Sequence, residues 1–344
     1  MSGTSLDGLD IAFCRFRYSK KKWKCSIKKA VTLRYSKEWL KKLSEAHKLS
    51  GPGLLQLQNE YGAYLGNAVK QFVKKNHLSK IDFVASHGHT IFHQPENHFT
   101  FQLGKGAAIA SACKLPVIND FRSLDVALGG QGAPLVPIGD RLLFANYTFC
   151  LNLGGIANIS YEHKGLRLAF DICPVNIVLN HLAKTLNMEF DKNGKLAKKG
   201  KVDEELLKQL NLLSYYKKQA PKSIGREWVE EECLPIIEAS KASTEDKLST
   251  FTEHIAIQIA EACKGKKGKM LVTGGGAFNK YLIERIKKLS PGIKVIVPAK
   301  ELVNYKEALV FAFLGVLRWR GEVNVLKSVT GASRNNSGGS IHIV

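Results

Sequence analysis

The sequence lacks the features that would place it in a membrane or outside the cell. No stretch of its 344 residues approaches the roughly eighteen uncharged apolar residues that a membrane-spanning helix needs. The opening MSGTSLDGLD has neither a basic start nor an apolar run, so it does not look like a secretion signal. No two of the seven cysteines stand at C-x-x-C spacing and their number is odd, which argues against a disulfide framework or a cysteine zinc site. We therefore expect a cytoplasmic protein with reduced thiols in its core.

Acidic residues are scarce relative to basic ones. The 30 Asp and Glu stand against 51 Lys and Arg, which gives a formal net charge of +21. Such a charge suits nucleic acid, an anionic surface or a phosphorylated substrate. The lysines are nevertheless scattered in short groups such as Lys20–Lys22, and no run interleaves basic with aromatic residues as a base-stacking platform would. The pattern favours a solvated lysine-rich surface that attracts anionic metabolites, with neither nucleic acid nor membrane as a partner.

The length argues for two domains, because a single hydrophobic core usually stops growing below about 300 residues. Strand-like and helical periodicities alternate twice along the chain, each time after a β-hairpin signal. Ile11–Phe16 and Phe149–Leu153 are typical strands, and apolar residues at helical spacing from Leu54 to Phe72 predict a long helix. We predict an α/β protein of two mixed-sheet domains, residues 1–140 and 141–344, with a cleft between them. The C-terminal tail is expected to pack back on the first domain.

Three glycine-rich turns follow or bridge the predicted strands: Ser2–Gly8, Leu153–Ile156 and Val272–Ala277. Glycine lets the backbone approach a phosphate closely, and consecutive N–H groups can then cradle an anion. Each turn alone is more often an ordinary turn, but three of them spread over both halves favour a nucleotide site. Neither G-x-x-x-x-G-K-[ST] nor G-x-G-x-x-G occurs, which excludes the P-loop and Rossmann motifs.

The segments GTSLDGLD, LNLGGIANIS and TGGGAFN resemble the two phosphate loops and the adenosine loop of the actin, sugar-kinase and heat-shock ATPase superfold. More narrowly, the chain is similar to the anhydro-N-acetylmuramic acid kinases over nearly its full length. The blocks that carry this resemblance, in the family's order, are MSGTSLDGLD, SHGHTIFHQP, FQLGKGAAIA, NDFRSLDVALGGQGAPLVP, LNLGGIANIS, FDICPVN, PKSIGRE, VTGGGAFN, KEALVFAFL and SVTGAS. The resemblance implies two actin-like (ribonuclease H-like) domains with a nucleotide cleft between them.

The resemblance also implies an activity. Such a kinase opens the 1,6-anhydro ring of anhydro-N-acetylmuramic acid and phosphorylates O6, giving N-acetylmuramic acid 6-phosphate in peptidoglycan recycling. It uses ATP and magnesium and is a dimer. Asp7 is expected to orient hydrated Mg²⁺, which usually keeps most of its waters. The ATP-binding residues implied are Gly3, Thr4, Ser5, Leu6, Asp7, Gly8, Asn152, Gly154, Gly155, Thr273, Gly274, Gly275, Gly276 and Asn279.

The reaction needs a carboxylate, because water must lose a proton as it attacks C1 of the sugar. Asp171, after the strand Leu166–Phe170, stands where the family has its catalytic aspartate. The alternative is a helix N-cap, since Pro174 and a predicted helix follow. The family more usually has D-T-G-P-G-N here, and Cys173 and Val175 replace two small residues of that motif.

Glu307 opens an apolar helical stretch, and the resemblance makes it a second acidic residue that faces the sugar. The alternative is a first-turn acid stabilised by the helix dipole. The remaining sugar contacts that the resemblance implies are His89, Thr90, Asp120, Arg122 and Gln131.

Two of these sugar contacts have structural alternatives. His89 stands where the family more often has glutamine, and a loop histidine is commonly only a polar surface group. Arg122 could grip the lactyl carboxylate in bidentate fashion, or it could form an ordinary salt bridge to Asp125.

Relatives have a strand ahead of the methionine that matches Met1. The first glycine loop is therefore expected to be free at its front end, and we predict either an upstream start or weak ATP binding. Three other functions stay open from the residues alone: another sugar kinase of the superfold, a non-catalytic actin-like ATP switch, and a basic nucleic-acid binder whose affinity would fall steeply with salt.

Overall fold

The computed structural model describes residues 1–3 and 6–344. Thr4 and Ser5, two of the predicted ATP-binding residues, lie outside the described residues. The chain divides into two compact units. Unit 1 comprises Met1–Leu143 and Tyr305–Val344, and unit 2 comprises Phe144–Asn304. The predicted boundary at residue 140 lies just before the first division.

The strands alternate with helices along the whole chain, as the periodicities predict. The strands are β1 (Leu9–Ser19), β2 (Lys22–Leu33), β3 (Val84–Ala85), β4 (His89–Gln94), β5 (Phe99–Leu103), β6 (Val117–Asn119), β7 (Phe149–Leu153), β8 (Ile156–His163), β9 (Leu166–Pro174), β10 (Gly268–Thr273), β11 (Ile293–Ile296) and β12 (Ser340–His342).

The helices are α1 (Lys37–Glu45), α2 (Gly51–Lys75), α3 (Gly106–Cys113), α4 (Ser123–Ala127), α5 (Val136–Leu143), α6 (Asn176–Lys184), α7 (Lys195–Lys199), α8 (Glu204–Asn211), α9 (Arg226–Trp228), α10 (Leu234–Ala239), α11 (Thr244–Ala262), α12 (Lys280–Leu289), α13 (Lys300–Trp319) and α14 (Lys327–Thr330). Short 3₁₀ turns cover Ala46–Lys48, Pro95–Asn97, Lys192–Gly194, Ser214–Lys217 and Gly275–Phe278, and one π turn covers Val229–Cys233.

Unit 2 is built on one mixed sheet of five strands in the order β11-β10-β7-β8-β9. β10 runs parallel to β7 and β11, whereas β7, β8 and β9 form an antiparallel meander. The central strand β7 buries Phe149, Leu151 and Leu153, which accords with its almost continuous apolar sequence. The amphipathic helix α11 begins at the N-cap Ser243 and buries one face against the same core, through Phe251 among others.

Unit 1 distributes its strands over three small sheets, with the orders β1-β2, β12-β6-β3 and β4-β5. Its longest helix, α2, packs closely against α3. A Cβ added at Gly62 would lie 2.8 Å from the Ala108 Cβ, and one at Gly66 would lie 2.6 Å from the Ala112 Cβ. Glycine is therefore needed at both positions to let the two helix backbones approach.

A cavity of unit 1, about 1070 Å³, separates two strand edges. Its lining includes the consecutive residues Leu9–Phe16 of β1 and Leu78–Ser86, which contain β3. Successive side chains of a strand point to opposite faces, so consecutive lining residues mean that a strand edge faces the cavity. In the described part of the chain β1 pairs with β2 and β3 with β6, which leaves these two edges without strand partners.

These observations confirm an α/β fold with mixed sheets. Five of the seven cysteines are buried, as expected for core thiols. Within residues 1–3 and 6–344, no helix has the length and apolarity required to cross a membrane.

Candidate functional site

Two glycine loops of unit 2 meet because they follow neighbouring parallel strands. Thr273 at the end of β10 stands opposite Asn152 near the end of β7. The backbone of Gly274 has a φ of +83°, and a Cβ there would lie 2.6 Å from the Asn152 Oδ1. The conformation and the close approach both require glycine at this position.

The outer part of this paired loop is open. Gly155 and Gly275 are exposed, and a Cβ at Gly275 would meet only the Asn176 Nδ2, at 3.7 Å. The start of α6 is tied to the first loop, because Val175 and Asn176 donate backbone N–H groups to the carbonyls of Gly155 and Gly154. The glycine loops therefore form a fixed, accessible backbone surface of the kind that accommodates a phosphate.

Two predicted ATP-binding side chains of unit 2 form hydrogen bonds within the protein. The Thr273 hydroxyl is buried and donates to the Leu151 carbonyl at 3.5 Å. The Asn279 Oδ1 accepts from the Leu282 N–H at 3.0 Å and so caps α12. Thr273 would consequently reach a ligand only through its backbone.

The first glycine loop is closed by backbone pairing in unit 1, contrary to the expectation of a free front end. Ser2 forms an antiparallel bridge with Leu9, and Met1 exchanges backbone hydrogen bonds of 2.8 and 2.9 Å with Asp10. At the other end of the loop, Gly8 has a φ of +153°, and a Cβ there would lie 2.6 Å from the carbonyl oxygen of Leu33. Between these fixed ends Gly3 and Asp7 are exposed and Leu6 is partly buried.

Asp171 lies within β9 and does not cap the following helix. The N-cap of α6 is Val175, so the N-cap interpretation of Asp171 is wrong. The Asp171 Oδ2 accepts from the Ile224 N–H at 3.1 Å, and among the described residues no donor reaches Oδ1. Partial burial raises the pKa of Asp171, and the hydrogen bond from the Ile224 N–H opposes that rise. The result is a half-buried carboxylate with one oxygen held and the other without a hydrogen-bond partner.

The two unusual residues after Asp171 fill the hydrophobic core of unit 2. Cys173 and Val175 are both fully buried. A β-bulge in the β8–β9 pairing, where Asn158 faces Asp171 and Ala157 faces Cys173, changes the register between these residues. The larger side chains are therefore accommodated by packing, and the Val175 N–H still contacts the glycine loop.

Glu307 lies in α13, two residues after a break in helical geometry at Tyr305. The part of α13 that follows this break belongs to unit 1, and Glu307 stands in its first turn, as the alternative of a first-turn acid also expects. Its side chain remains open to solvent, but neighbouring protein groups displace enough water to raise the pKa of Glu307. The cation of Lys306 lowers that pKa and the carboxylate of Asp10 raises it further.

Arg122 is held by a residue that the sequence analysis missed. The Arg122 Nε and one terminal nitrogen lie 3.2 and 2.9 Å from the His87 Nε2, and the other terminal nitrogen donates to the Gly132 carbonyl at 2.6 Å. His87 is buried, and burial together with the Arg122 charge lowers the pKa of His87 to about 3. A neutral His87 can accept through Nε2 while its Nδ1 donates to the Gly88 carbonyl at 3.0 Å. The only sequence signal was SHGHT, which contains two histidines.

The salt-bridge alternative for Arg122 is wrong. Asp125 is fully buried and instead accepts from the Gly132 N–H, the Thr330 hydroxyl and the Asn336 amide, at 2.8–2.9 Å. Asp125 thereby fixes the loop that carries Gly132, whose carbonyl holds Arg122. Asp125 therefore has a structural role in this loop, and the Arg122 guanidinium is held by His87 and the Gly132 carbonyl.

His89 is a buried residue, so the surface alternative for it is wrong. Its Nδ1 lies 2.8 Å from the Ser2 hydroxyl, which also accepts from the Tyr35 hydroxyl at 2.7 Å. The Tyr35 and Tyr61 hydroxyls are 2.7 Å apart, which extends this chain of hydrogen bonds. Burial lowers the pKa of His89 to about 4. Thr90 follows on β4, where it is partly exposed and pairs with Gln102.

A smaller polar cavity of unit 1, about 240 Å³, brings His87 and Asp120 together with Gln102, Asn119 and Ser123. Asp120 has a φ of +57°, and its Oδ1 accepts from the Ser123 hydroxyl at 2.5 Å. Gln131, in contrast, is exposed and donates its backbone N–H to Thr330. Because most residues that line this smaller cavity carry polar side chains, it is a candidate for binding a polar ligand.

The α/β fold of unit 2, with glycine loops at the ends of parallel strands and a half-buried carboxylate in the same unit, is typical of a phosphotransferase. A sequence model of the anhydro-N-acetylmuramic acid kinase family matches residues 1–343. The chain belongs to the anhydro-N-acetylmuramic acid kinase family, which confirms the resemblance drawn from the order of its motifs.

The curated relatives match over almost their full length. The enzyme of that name from Francisella tularensis subsp. novicida is 36% identical over 96% of this chain and 94% of its own. Those from Shewanella sp. (strain W3-18-1) and Caldanaerobacter subterraneus are 36% and 33% identical, covering 97% and 96% of this chain and 95% and 93% of their own. Likeness to solved structures is lower. An activator of 2-hydroxyisocaproyl-CoA dehydratase from Clostridium difficile, covering 54% of this chain and 66% of its own, is 15% identical with a TM-score of 0.34, too low to assign the fold.

Proposed function

We propose that this protein uses ATP and water to convert anhydro-N-acetylmuramic acid into N-acetylmuramic acid 6-phosphate and ADP. A water oxygen bonds to C1 and gives its proton to a carboxylate, while the C1–O6 electron pair moves onto O6. O6 then bonds to the γ-phosphorus, the bond to ADP breaks, and the proton passes from the carboxylate to solvent. The reaction is one step of peptidoglycan recycling, in the cytoplasm.

The observation that carries this proposal is the arrangement around Asp171. One carboxylate oxygen is held by the Ile224 N–H, and no described donor reaches the other. A general base needs such a fixed orientation and an available oxygen. Its raised pKa also makes it a stronger base than an exposed aspartate once it is ionised. We assign Asp171 as the base that takes the proton of the attacking water.

The sugar-binding residues proposed belong to unit 1. The Arg122 guanidinium, held by His87 and Gly132, would pair with the lactyl carboxylate, because a guanidinium binds a carboxylate with charge-assisted hydrogen bonds. Glu307 would accept hydrogen bonds from sugar hydroxyls. The other proposed contacts are His89, Thr90, Asp120 and Gln131.

The glycine loops would bind ATP through their backbone N–H groups. Mg²⁺ fits the acidic start of unit 1, where the exposed Asp7 carboxylate contributes to raising the pKa of Asp10. Mg²⁺ usually keeps most of its waters in proteins, so a single carboxylate is enough to hold it. Asp7 would hold it through water, and the bound ion would neutralise phosphate charge. We also propose a homodimer that binds neither nucleic acid nor membranes.

The direct test is a coupled assay with ATP, Mg²⁺ and anhydro-N-acetylmuramic acid. Asp171→Asn should lower kcat by ~10²–10⁴-fold, the usual size of base catalysis, while ATP binding measured by calorimetry stays within twofold. Glu189→Gln replaces an exposed carboxylate of the same unit by an amide and serves as the matched control. Unchanged turnover in Asp171→Asn would reject the role of this residue.

The same assay separates the proposal from an ordinary sugar kinase. N-acetylmuramic acid without the anhydro bond has a free O6 and needs no attack by water. Equal or faster phosphorylation of this sugar, with no loss in Asp171→Asn, would favour simple hydroxyl phosphorylation instead.

A further inference from the structure

The segment Lys222–Ile224, part of the PKSIGRE motif, lies against the outer edge of β9. β9 is the last strand of the unit 2 sheet, so this edge has no neighbouring strand within the sheet. At Asp171 the backbone is nevertheless satisfied: its N–H donates to the Lys222 carbonyl at 3.0 Å, and its carbonyl accepts from the Tyr215 hydroxyl at 2.6 Å. The segment covers the strand edge at the one residue that carries the proposed base.

The same segment also holds the side chain. The Ile224 N–H donates to the Asp171 Oδ2 at 3.1 Å, and the Ile224 residue itself is buried. Backbone N–H, backbone C=O and carboxylate of Asp171 are therefore each bound to residues between Tyr215 and Ile224. This leaves the χ1 rotation of Asp171 little freedom.

The segment is itself anchored. The Lys222 ammonium donates to the Tyr215 carbonyl at 3.2 Å and lies 4.4 Å from the centre of the Tyr215 ring. The Tyr215 ring is buried and packs against Trp228, with ring centres 5.4 Å apart. The contacts to Asp171 thus come from a packed part of the core, which makes them a rigid support.

We propose that the Ile224 backbone N–H is a positioning group for catalysis: it fixes Oδ2 of Asp171 and directs Oδ1 to the attacking water. This inference rests on the proposed function, in which Asp171 is the base. It gives the PKSIGRE motif a role that its sequence alone does not suggest, because the contact is made by a backbone atom.

The hydrogen bond has a predictable electrostatic effect. A donor to the ionised carboxylate lowers its pKa, so loss of the Ile224 N–H should raise it. The titratable and charged side chains beside Asp171 are Tyr215, whose pKa is raised by burial and by the Asp171 charge, and Lys222, whose ammonium binds the Tyr215 carbonyl. The shift of Tyr215 is away from the acidic range, so its phenol stays neutral while Asp171 titrates.

The first test needs no activity. In protein labelled with ¹³C and ¹⁵N, the Ile224 amide proton should shift with the same midpoint as the Asp171 carboxyl carbon when pH is lowered, and this shift should vanish in Asp171→Asn. An Ile224 amide that stays constant while the Asp171 carboxyl titrates would overturn the proposal. Because the readout is spectroscopic, it decides this point even where the protein proves inactive on the anhydro sugar.

The second test compares Ile224→Pro with Ile224→Ala. Both remove the isoleucine side chain, but only proline removes the N–H. The acidic limb of the kcat–pH profile should move to higher pH, by roughly half a unit to one unit, in Ile224→Pro alone, with KM for ATP unchanged. Coincident acidic limbs in the two variants would contradict the inference. Should Ile224→Pro fail to fold, the amide titration in Ile224→Ala, which retains the N–H, must still follow Asp171.

Discussion

The two units differ in how completely their strands pair with one another. In unit 2 all five strands join one sheet, and the glycine loops follow its central parallel strands. In unit 1 the strands fall into three sheets, and the edges of β1 and β3 face a cavity of about 1070 Å³. Unpaired strand edges leave backbone groups to water and lose packing. We therefore expect unit 2 to hold a rigid nucleotide-binding backbone, and unit 1 to be the less stable unit.

The largest effect is expected where the sheet of unit 2 fixes its loops. Gly274→Ala would place a Cβ 2.6 Å from the Asn152 Oδ1 and 2.8 Å from the Leu153 backbone, at a φ of +83°. We expect a loss of about 3 kcal/mol in stability, and ATP binding weakened by ~100-fold or more, measured by calorimetry.

Gly165→Ala is the control for the backbone conformation. Gly165 has a φ of +78° in the same unit, but a Cβ there would meet no atom within 4 Å. It should lose only about 1–2 kcal/mol and bind ATP normally. If both variants lost ATP binding equally, the close approach of the two loops would not be the reason why glycine is needed at position 274.

Acid should act more strongly on unit 1 than on unit 2. Unit 1 buries His87 and His89, with pKa values lowered to about 3 and about 4, and unit 2 buries His254, with a pKa of about 3. A histidine whose folded pKa is depressed contributes stability above its unfolded pKa of about 6.5 and loses it as pH falls below that value. Each such residue costs up to about 1.4 kcal/mol per pH unit.

Between pH 6.5 and 5 unit 1 should accordingly lose up to about 4 kcal/mol and unit 2 about 2 kcal/mol. The raised pKa values of Asp10 and Glu307 in unit 1, and of Asp171 in unit 2, offset part of this loss, because those native carboxyls bind protons early. Hydrogen exchange followed by mass spectrometry at pH 6.5 and 5, corrected for the intrinsic rate, measures both units at once. If exchange in unit 2 increased more than exchange in unit 1 as pH is lowered, the expectation that acid destabilises unit 1 more strongly would be wrong.

At neutral pH the difference between the sheets should still be visible in single strands. Amides of β1 that face the cavity should exchange at least tenfold faster than those of β7, which is paired on both sides. Amides of β1 that pair with β2 provide an internal reference within the same strand. Uniform protection along β1 would mean that its cavity-facing edge is not open.

The sequence predicts individual strands better than it predicts how they pair. Local periodicity predicts β7 with the bounds that the structure has, because a run of apolar residues is a property of a strand by itself. Periodicity could not predict that the edges of β1 and β3 that face the cavity have no strand partner, since strand pairing depends on residues far apart in the chain. The motif order points to Asp171 and the glycine loops as candidate site residues, but it gives no sign of His87 or the Ile224 N–H. A neutral buried histidine and a backbone amide have no sequence pattern of their own.

The smallest effect concerns the orientation of Arg122 in unit 1. His87→Gln keeps a hydrogen-bonding side chain but alters the acceptor that lies 2.9 and 3.2 Å from the guanidinium nitrogens. Because Arg122 keeps its bond to the Gly132 carbonyl, we expect KM for the anhydro sugar to rise about fivefold, roughly 1 kcal/mol, with kcat nearly constant. His47→Gln, at an exposed position of the same unit, is the control. A fall in kcat with unchanged KM would instead place His87 in the chemical step, and unit 1 would then contribute to catalysis as well as to binding.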